Sequence, residues 1–338
     1  MAGRSIATQR LLLQREVTPG TAVTNAMKEV LGLRVMPGYG IEGDSYKASG
    51  FKVPTSYVKN SEVGTHSVET IQEFNAFTYV ATGAFGAPTS TGVTDAVGDA
   101  TEHVYTLDAN GPDTKATFTM IYGDATQAIQ ATHFFFNSLG VTIQRGALTL
   151  TTSAMSYKPT TGAAIPGSGI TSVGTIPVAG RYWDVYADDS WATLGTTKLL
   201  AAYEGGIDFG DKYTPDWVIN SALDSFDSII ENDDLEPTAN LTLGFDAAAV
   251  GILDDWDADT LKFIRLASTG PVIDVTTAPV DINAEIEIDL CVRITQPGEF
   301  TAAPNSPAVA LPFTGQVEVD PTSGNAAAAR IVNMLTAL

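Results

Sequence analysis

Cysteine, cations and long apolar runs are all scarce in this sequence, and each shortage removes a class of protein. Cys291 is the single cysteine in 338 residues, which excludes an intramolecular disulfide framework and a cysteine-clustered zinc site. Lys+Arg number 18 against 39 Asp+Glu, a formal charge of −21 at pH 7. So acidic a chain is not drawn to phosphate backbones or anionic membranes. The apolar runs fall well short of the ~20 residues a membrane span needs. The opening MAGRSIATQRLLLQRE sets only Leu11, Leu12 and Leu13 in a row between charges, too few for the apolar core of a secretory leader.

Catalytic signatures are equally thin. The phosphate-loop pattern G-x-x-x-x-G-K-[ST] and the nucleophile pattern G-x-S-x-G do not occur. Gly38-Tyr39-Gly40-Ile41-Glu42-Gly43 spells G-x-G-x-x-G, but a dinucleotide site needs an apolar helix after it, and DSYKASGFKVP has no helical period. A glycine-rich turn is expected there. His66, His103 and His133 stand in separate segments without H-x-x-x-H or H-E-x-x-H spacing, so strand-end or solvent positions are expected rather than metal ligands or general bases. The acidic runs Asp224–Glu236 and Asp254–Asp259 do not fit a calcium-binding loop with its central glycine and terminal glutamate. They read as solvated loops. The sequence therefore predicts no catalytic residue, no metal and no cofactor: the chain is not an enzyme.

What the sequence has in abundance is strand pattern. In 283–295, Ala284, Ile286, Ile288, Leu290, Val292 and Ile294 share one face, while Asn283, Glu285, Glu287, Asp289, Cys291, Arg293 and Thr295 share the other. That is period two over a whole strand. Shorter strands read at 115–122, 239–245 and 313–320. In 140–154 the apolar parity changes at Arg145-Gly146, which predicts a bulge. Helices are few: 75–83, capped by Asn75; 246–268, broken near Asp254–Asp259; and 325–335, which also suits a strand. The fold class is mainly β.

The two halves differ and yet echo each other. Residues 1–169 hold 11 basic and 13 acidic side chains, for −2; residues 170–338 hold 7 and 26, for −19. Gly40-Ile41-Glu42-Gly43-Asp44 opens one segment as Gly206-Ile207-Asp208-Phe209-Gly210-Asp211 opens another. Each is followed by a long polar stretch, a strand ending in Phe74 or Phe245, a helix start and a later strong strand. A duplication accounts for that order, with domains at 1–158 and 181–338 and a Gly/Thr/Pro/Ser-rich linker at 159–180.

Three short motifs, taken in order, resemble the tail tube (major tail) proteins of long-tailed bacteriophages. Gln14-Arg15-Glu16-Val17-Thr18-Pro19-Gly20-Thr21-Ala22 is similar to the E-x-T-P-G-T-A opening of that family. Phe136-Asn137-Ser138-Leu139 resembles the segment before its central strand. Asp320-Pro-Thr-Ser-Gly324 followed by Ile331-Val332-Asn333 resembles its closing turn and V-N signature. The resemblance implies tandem β-sandwich or barrel-like tube domains, each with a flanking helix. It implies rings that stack into a conduit for DNA ejection, with two domains per chain giving a trimer of pseudo-sixfold symmetry. Its partners would be other copies of the chain and other tail proteins, with DNA passing through the lumen unbound and no membrane. Its place would be the virion tail, after synthesis in the host cytoplasm.

An acidic chain without catalytic motifs suits a duct that must not grip DNA. The polar face of 283–295, led by Glu285, Glu287 and Asp289, is the candidate lumen or rim surface; an outward solvated face is the alternative. The polar stretches 42–66 and 208–236, with Phe51, Tyr57, Trp217 and Phe226 as apolar anchors, are candidate ring-to-ring contacts. The competing class is a β-sandwich virion or cell-surface binding module, an adhesin that holds carbohydrate with calcium through the acidic loops.

Overall fold

The computed structural model describes residues 9–70, 73–107, 111, 113–220, 223–304, 306–336 and 338. The chain is mainly β, in two large sheets and one small one. The first sheet runs in the order Thr171–Val173, Lys28–Val30, Arg10–Arg15, Phe118–Gly123, Ala128–Phe136, Ser153–Tyr157, Ser56–Thr70, Leu33–Met36. Thr160–Ala163 pairs onto Ala128–Phe136, and Tyr39–Tyr46 pairs onto Ser56–Thr70. Between described strands the one parallel pairing is Thr171–Val173 with Lys28–Val30.

The second sheet is organised by the strand Asp281–Pro297. One edge of it pairs with Leu261–Val275, while the other pairs first with Ala327–Asn333 and then with Val309–Val317. From Val309–Val317 the sheet continues through Thr238–Gly244, Ala202–Asp211 and Ser138–Gln144 to Ala147–Thr151. From Ala327–Asn333 it continues to Thr101–Thr106 and Thr89–Gly92. Alternation works as the sequence requires: Ala284, Ile286, Ile288, Leu290, Val292 and Ile294 are all buried. The small sheet is the hairpin Tyr213–Asp216 with Ser228–Glu231.

The main core lies between the sheets, with the helices Phe74–Val80 and Thr82–Phe85 wholly inside it. A helix buried on every side needs its free N–H groups met by protein. Glu73, itself buried, accepts from the amides of Asn75, Ala76 and Ile176. The cap is thus Glu73, not Asn75. Asn333 donates to Phe74 O and to Thr78 Oγ1 at 2.7 Å, tying the same helix to the last strand.

Several expectations need correction. The segment 246–268 is helical only over Ala247–Asp257; Asp259 turns with a φ of 53°, and Leu261–Val275 is a strand. Phe263, Ile264, Leu266 and Ser268 are buried there, with Arg265 and Ala267 less so. Cross-strand partners rather than helix propensity decide that stretch. Residues 327–333 form a strand as well. The parity change at Arg145-Gly146 is a two-residue hairpin turn, not a bulge, because antiparallel partners such as Val141↔Leu150 and Ile143↔Leu148 have opposite parity. Residues 160–163 and 171–173, inside the expected linker, pair in the first sheet.

Strand pairing also crosses the expected boundary. The first sheet draws only on residues 10–173, but the second takes Thr89–Gly92, Thr101–Thr106, Ser138–Gln144 and Ala147–Thr151 from the first half. Among the described residues no helix is long and apolar enough to cross a membrane.

Candidate assembly interface

The stretch 42–66 is a long β-hairpin rather than a loop. Tyr39–Tyr46 and Ser56–Thr70 pair from Tyr39↔Gly64 out to Tyr46↔Ser56, with a register shift at Glu42/Gly43. The tip is closed by Thr55 N donating to Tyr46 O at 2.8 Å and by Gly50 at a φ of 87°. At its base the hairpin is part of the first sheet: Val63 is buried and Ser67 pairs with Ser153. Beyond that, every residue from 44 to 60 is exposed. Ile41, Tyr46, Phe51, Val53, Tyr57 and Val58 are all exposed apolar residues. A two-stranded ribbon cannot bury side chains on both faces by itself. Phe51 and Tyr57 therefore stand where a contact with another molecule would need them.

The second expected stretch, 208–236, holds the hairpin Tyr213–Asp216/Ser228–Glu231 and its connecting loop. Trp217, Val218, Ile219 and Ile230 are exposed. Phe226 is 0% exposed, so the chain itself uses it and it is not a contact residue. Its ring packs on Tyr157 at 4.8 Å and His133 at 5.2 Å, with Phe135 and Trp217 at the edge. Sequence pattern alone did not separate it from Trp217, because both lie in a polar run without period. The two stretches meet: Glu62 N donates to Asp224 O at 2.9 Å. Glu62 also pairs with Lys158 and Lys59, which together hold its carboxyl below the usual range.

Glu285, Glu287 and Asp289 do share one face, but they are not a bare acidic row. Arg265 on one neighbouring strand donates to Asp289 from Nε and Nη2, at 2.7 and 2.8 Å, and its Nη1 lies 3.5 Å from Glu287. Arg330 on the other neighbour binds Glu285 at 2.6 Å, Glu287 at 3.6 Å and also Glu102. Register explains the ladder, since Arg265 is the partner of Asp289 and Arg330 the partner of Glu287. Opposite charges placed across strands stabilise a sheet. Mutual repulsion thus gives no reason to assign this face to a lumen.

The same economy runs through the acidic half. Of its seven cations, Lys198, Lys212, Lys262, Arg265, Arg293 and Arg330 each touch a carboxylate. The two acidic runs lie on different elements. Asp254, Asp255 and Asp257 are on the helix Ala247–Asp257, while 224–236 is divided between loop and strand. Among the described residues no three His, Cys, Asp or Glu side chains are grouped to hold a metal ion.

The motif residues turn out to be structural keystones. Glu16 is buried and accepts from Gly20 N at 2.8 Å, which closes the Thr18-Pro19-Gly20 turn. Its other oxygen accepts from His133 N at 2.9 Å and Thr119 Oγ1 at 3.1 Å, at the register shift where His133 takes a φ of 52°. The histidines depart from expectation: all three are buried, and burial lowers each to about 4. His103 reaches Ser90 Oγ at 2.7 Å and Asn333 Oδ1 at 3.2 Å. Gly38–Gly43 lies across the first strand of the exposed hairpin with another strand after it, so it has no helix to offer a pyrophosphate. No family model and no curated protein sequence matches this chain.

Proposed function

We propose that the chain is a structural subunit of a phage tail tube, whose copies join into rings that stack as a conduit for DNA. The observation that carries the reading is the exposed hairpin, an arm with exposed apolar side chains on both faces among the described residues. Beside it stands the apolar loop from Trp217 to Ile219. Such surfaces persist in a protein that is soluble as an assembly. The motif resemblance supplies the kind of assembly, and the overall charge of −21 suits a wall past which DNA slides.

The tandem organisation belongs to the same proposal. A hairpin and a later capped helix occur in each half, at Tyr39–Thr70 with Phe74–Val80 and at Tyr213–Glu231 with Ala247–Asp257, the second pair separated by the strand Thr238–Gly244. Three chains would then complete a six-unit ring. Electron micrographs of the purified protein test the reading. Rings or tubes support it; discrete monomers whose stability depends on calcium favour the binding module instead.

A further inference from the structure

Lys212 is the most deeply buried cation among the described residues, and its surroundings are those of a reaction site. Its side chain is 0% exposed. The Nζ atom is in direct contact with Asp113 Oδ2, donates to Ala84 O at 2.9 Å and lies 3.3 Å from Glu231 Oε1. The second oxygen of Glu231 accepts from the Asp113 amide at 3.1 Å, so one carboxylate spans both members of the pair. Tyr213 covers the amine, its ring centre 5.6 Å from Nζ.

The main chain holds these groups in place. Lys212 N donates to Asn137 O at 2.7 Å, and Asn232 N donates to Lys212 O at 2.8 Å. Ala87 N holds Thr114 O at 2.6 Å beside Asp113. Gly86, at a φ of 79°, lets the Asp113 loop close in, since a Cβ there would stand 2.7 Å from Thr114 O and 3.2 Å from Asp113 Cβ. An amine and a carboxyl fixed in contact and shielded from water have the high effective concentration that an intramolecular condensation needs.

We propose that Lys212 and Asp113 form an isopeptide bond, with Glu231 as the proton carrier. Two buried charges are costly even when paired, and moving one proton from the Lys212 ammonium to the Asp113 carboxylate leaves a neutral amine and a neutral acid. The Nζ lone pair then attacks Asp113 Cγ, forming the C–N bond. Glu231 takes a second proton from Nζ and delivers it to the hydroxyl on Cγ. The C–O bond breaks, one water leaves, Nζ keeps one hydrogen as an amide, and Glu231 ends as the carboxylate it began. No oxidant or cofactor enters the balance. The product joins the loop before Phe118–Gly123 to the start of the small hairpin, 99 residues away in sequence.

Intact-mass spectrometry of the full-length, folded protein tests the proposal. The expected mass is one water below that of the sequence, after allowance for removal of the initiator methionine. Digestion should release a branched peptide joining Asp113 to Lys212. Lys212→Arg and Glu231→Gln should each restore the full mass, with circular dichroism reporting whether they fold. The wild-type measurement needs no variant: a folded protein at full sequence mass overturns the proposal, as does a water loss that survives Lys212→Arg. A crosslink retained in Glu231→Gln overturns the role given to Glu231.

Discussion

At the scale of single residues, Glu16 carries more of the structure than its place in a loop suggests. One carboxylate closes the turn at Gly20, binds Thr119 and holds the amide of His133 in a left-handed bend. Removing it leaves buried donors unmet, so Glu16→Ala should cost about 3 kcal/mol in denaturant unfolding, and more than Glu16→Gln. The histidines make a second residue-scale prediction. Their folded values, about 4, lie below the ordinary 6.5, so the unfolded chain binds more protons between those limits. The stability they leave intact is complete above pH 6.5 and is lost as pH falls towards 4, on the order of 3 kcal/mol for each. Melting temperatures from pH 7 to pH 4.5 should fall, and a neutral replacement such as His66→Gln should flatten the slope. Glu16 was legible as part of a motif, whereas the burial of the histidines was not. A histidine's neighbours come from other strands, and local pattern does not name them.

Elements show where pattern suffices and where it fails. The strand Asp281–Pro297 was readable because one of its faces is core along its whole length. The exposed hairpin was readable as a long polar stretch but not as strands, because neither of its outer faces is buried and its sequence has no reason to alternate. Replacing 47–60 by a short turn should leave the melting temperature within a few degrees of wild type, since every removed residue is exposed. The same variant should fail to form rings or tubes in electron micrographs; tubes of normal length would remove the hairpin from the interface. The charge ladder gives the opposite expectation. Changing Glu285, Glu287 and Asp289 to lysine would set three cations beside Arg265 and Arg330 at half-buried positions. That variant should lose several kcal/mol of stability in chemical denaturation. Local pattern does not show this pairing, because the partners of Asp289 and Glu285 lie 24 and 45 residues away in sequence.

For the whole molecule the decisive quantity is the mass and symmetry of the proposed assembly. Three chains per ring with pseudo-sixfold density support paired tube units in each chain, while six full chains related by true sixfold symmetry would remove them. Rising ionic strength should favour assembly, because screening reduces repulsion among copies that each carry −21. Light scattering across a salt series reads this directly.

The interleaving of the sheets bears on how the chain comes off the ribosome. Thr101–Thr106 pairs with Thr89–Gly92 on one edge and finds its second partner in Ala327–Asn333, and Ser138–Gln144 needs Ala202–Asp211 on its second edge. A strand synthesised more than two hundred residues later therefore completes a sheet that the first half began. Until it emerges, the nascent chain carries unpaired edges and half a core, the condition in which chaperones are recruited and inclusion bodies start. A gene fragment stopped at residue 158 should give insoluble product, and one supplied in two pieces should give soluble protein only when both are made together.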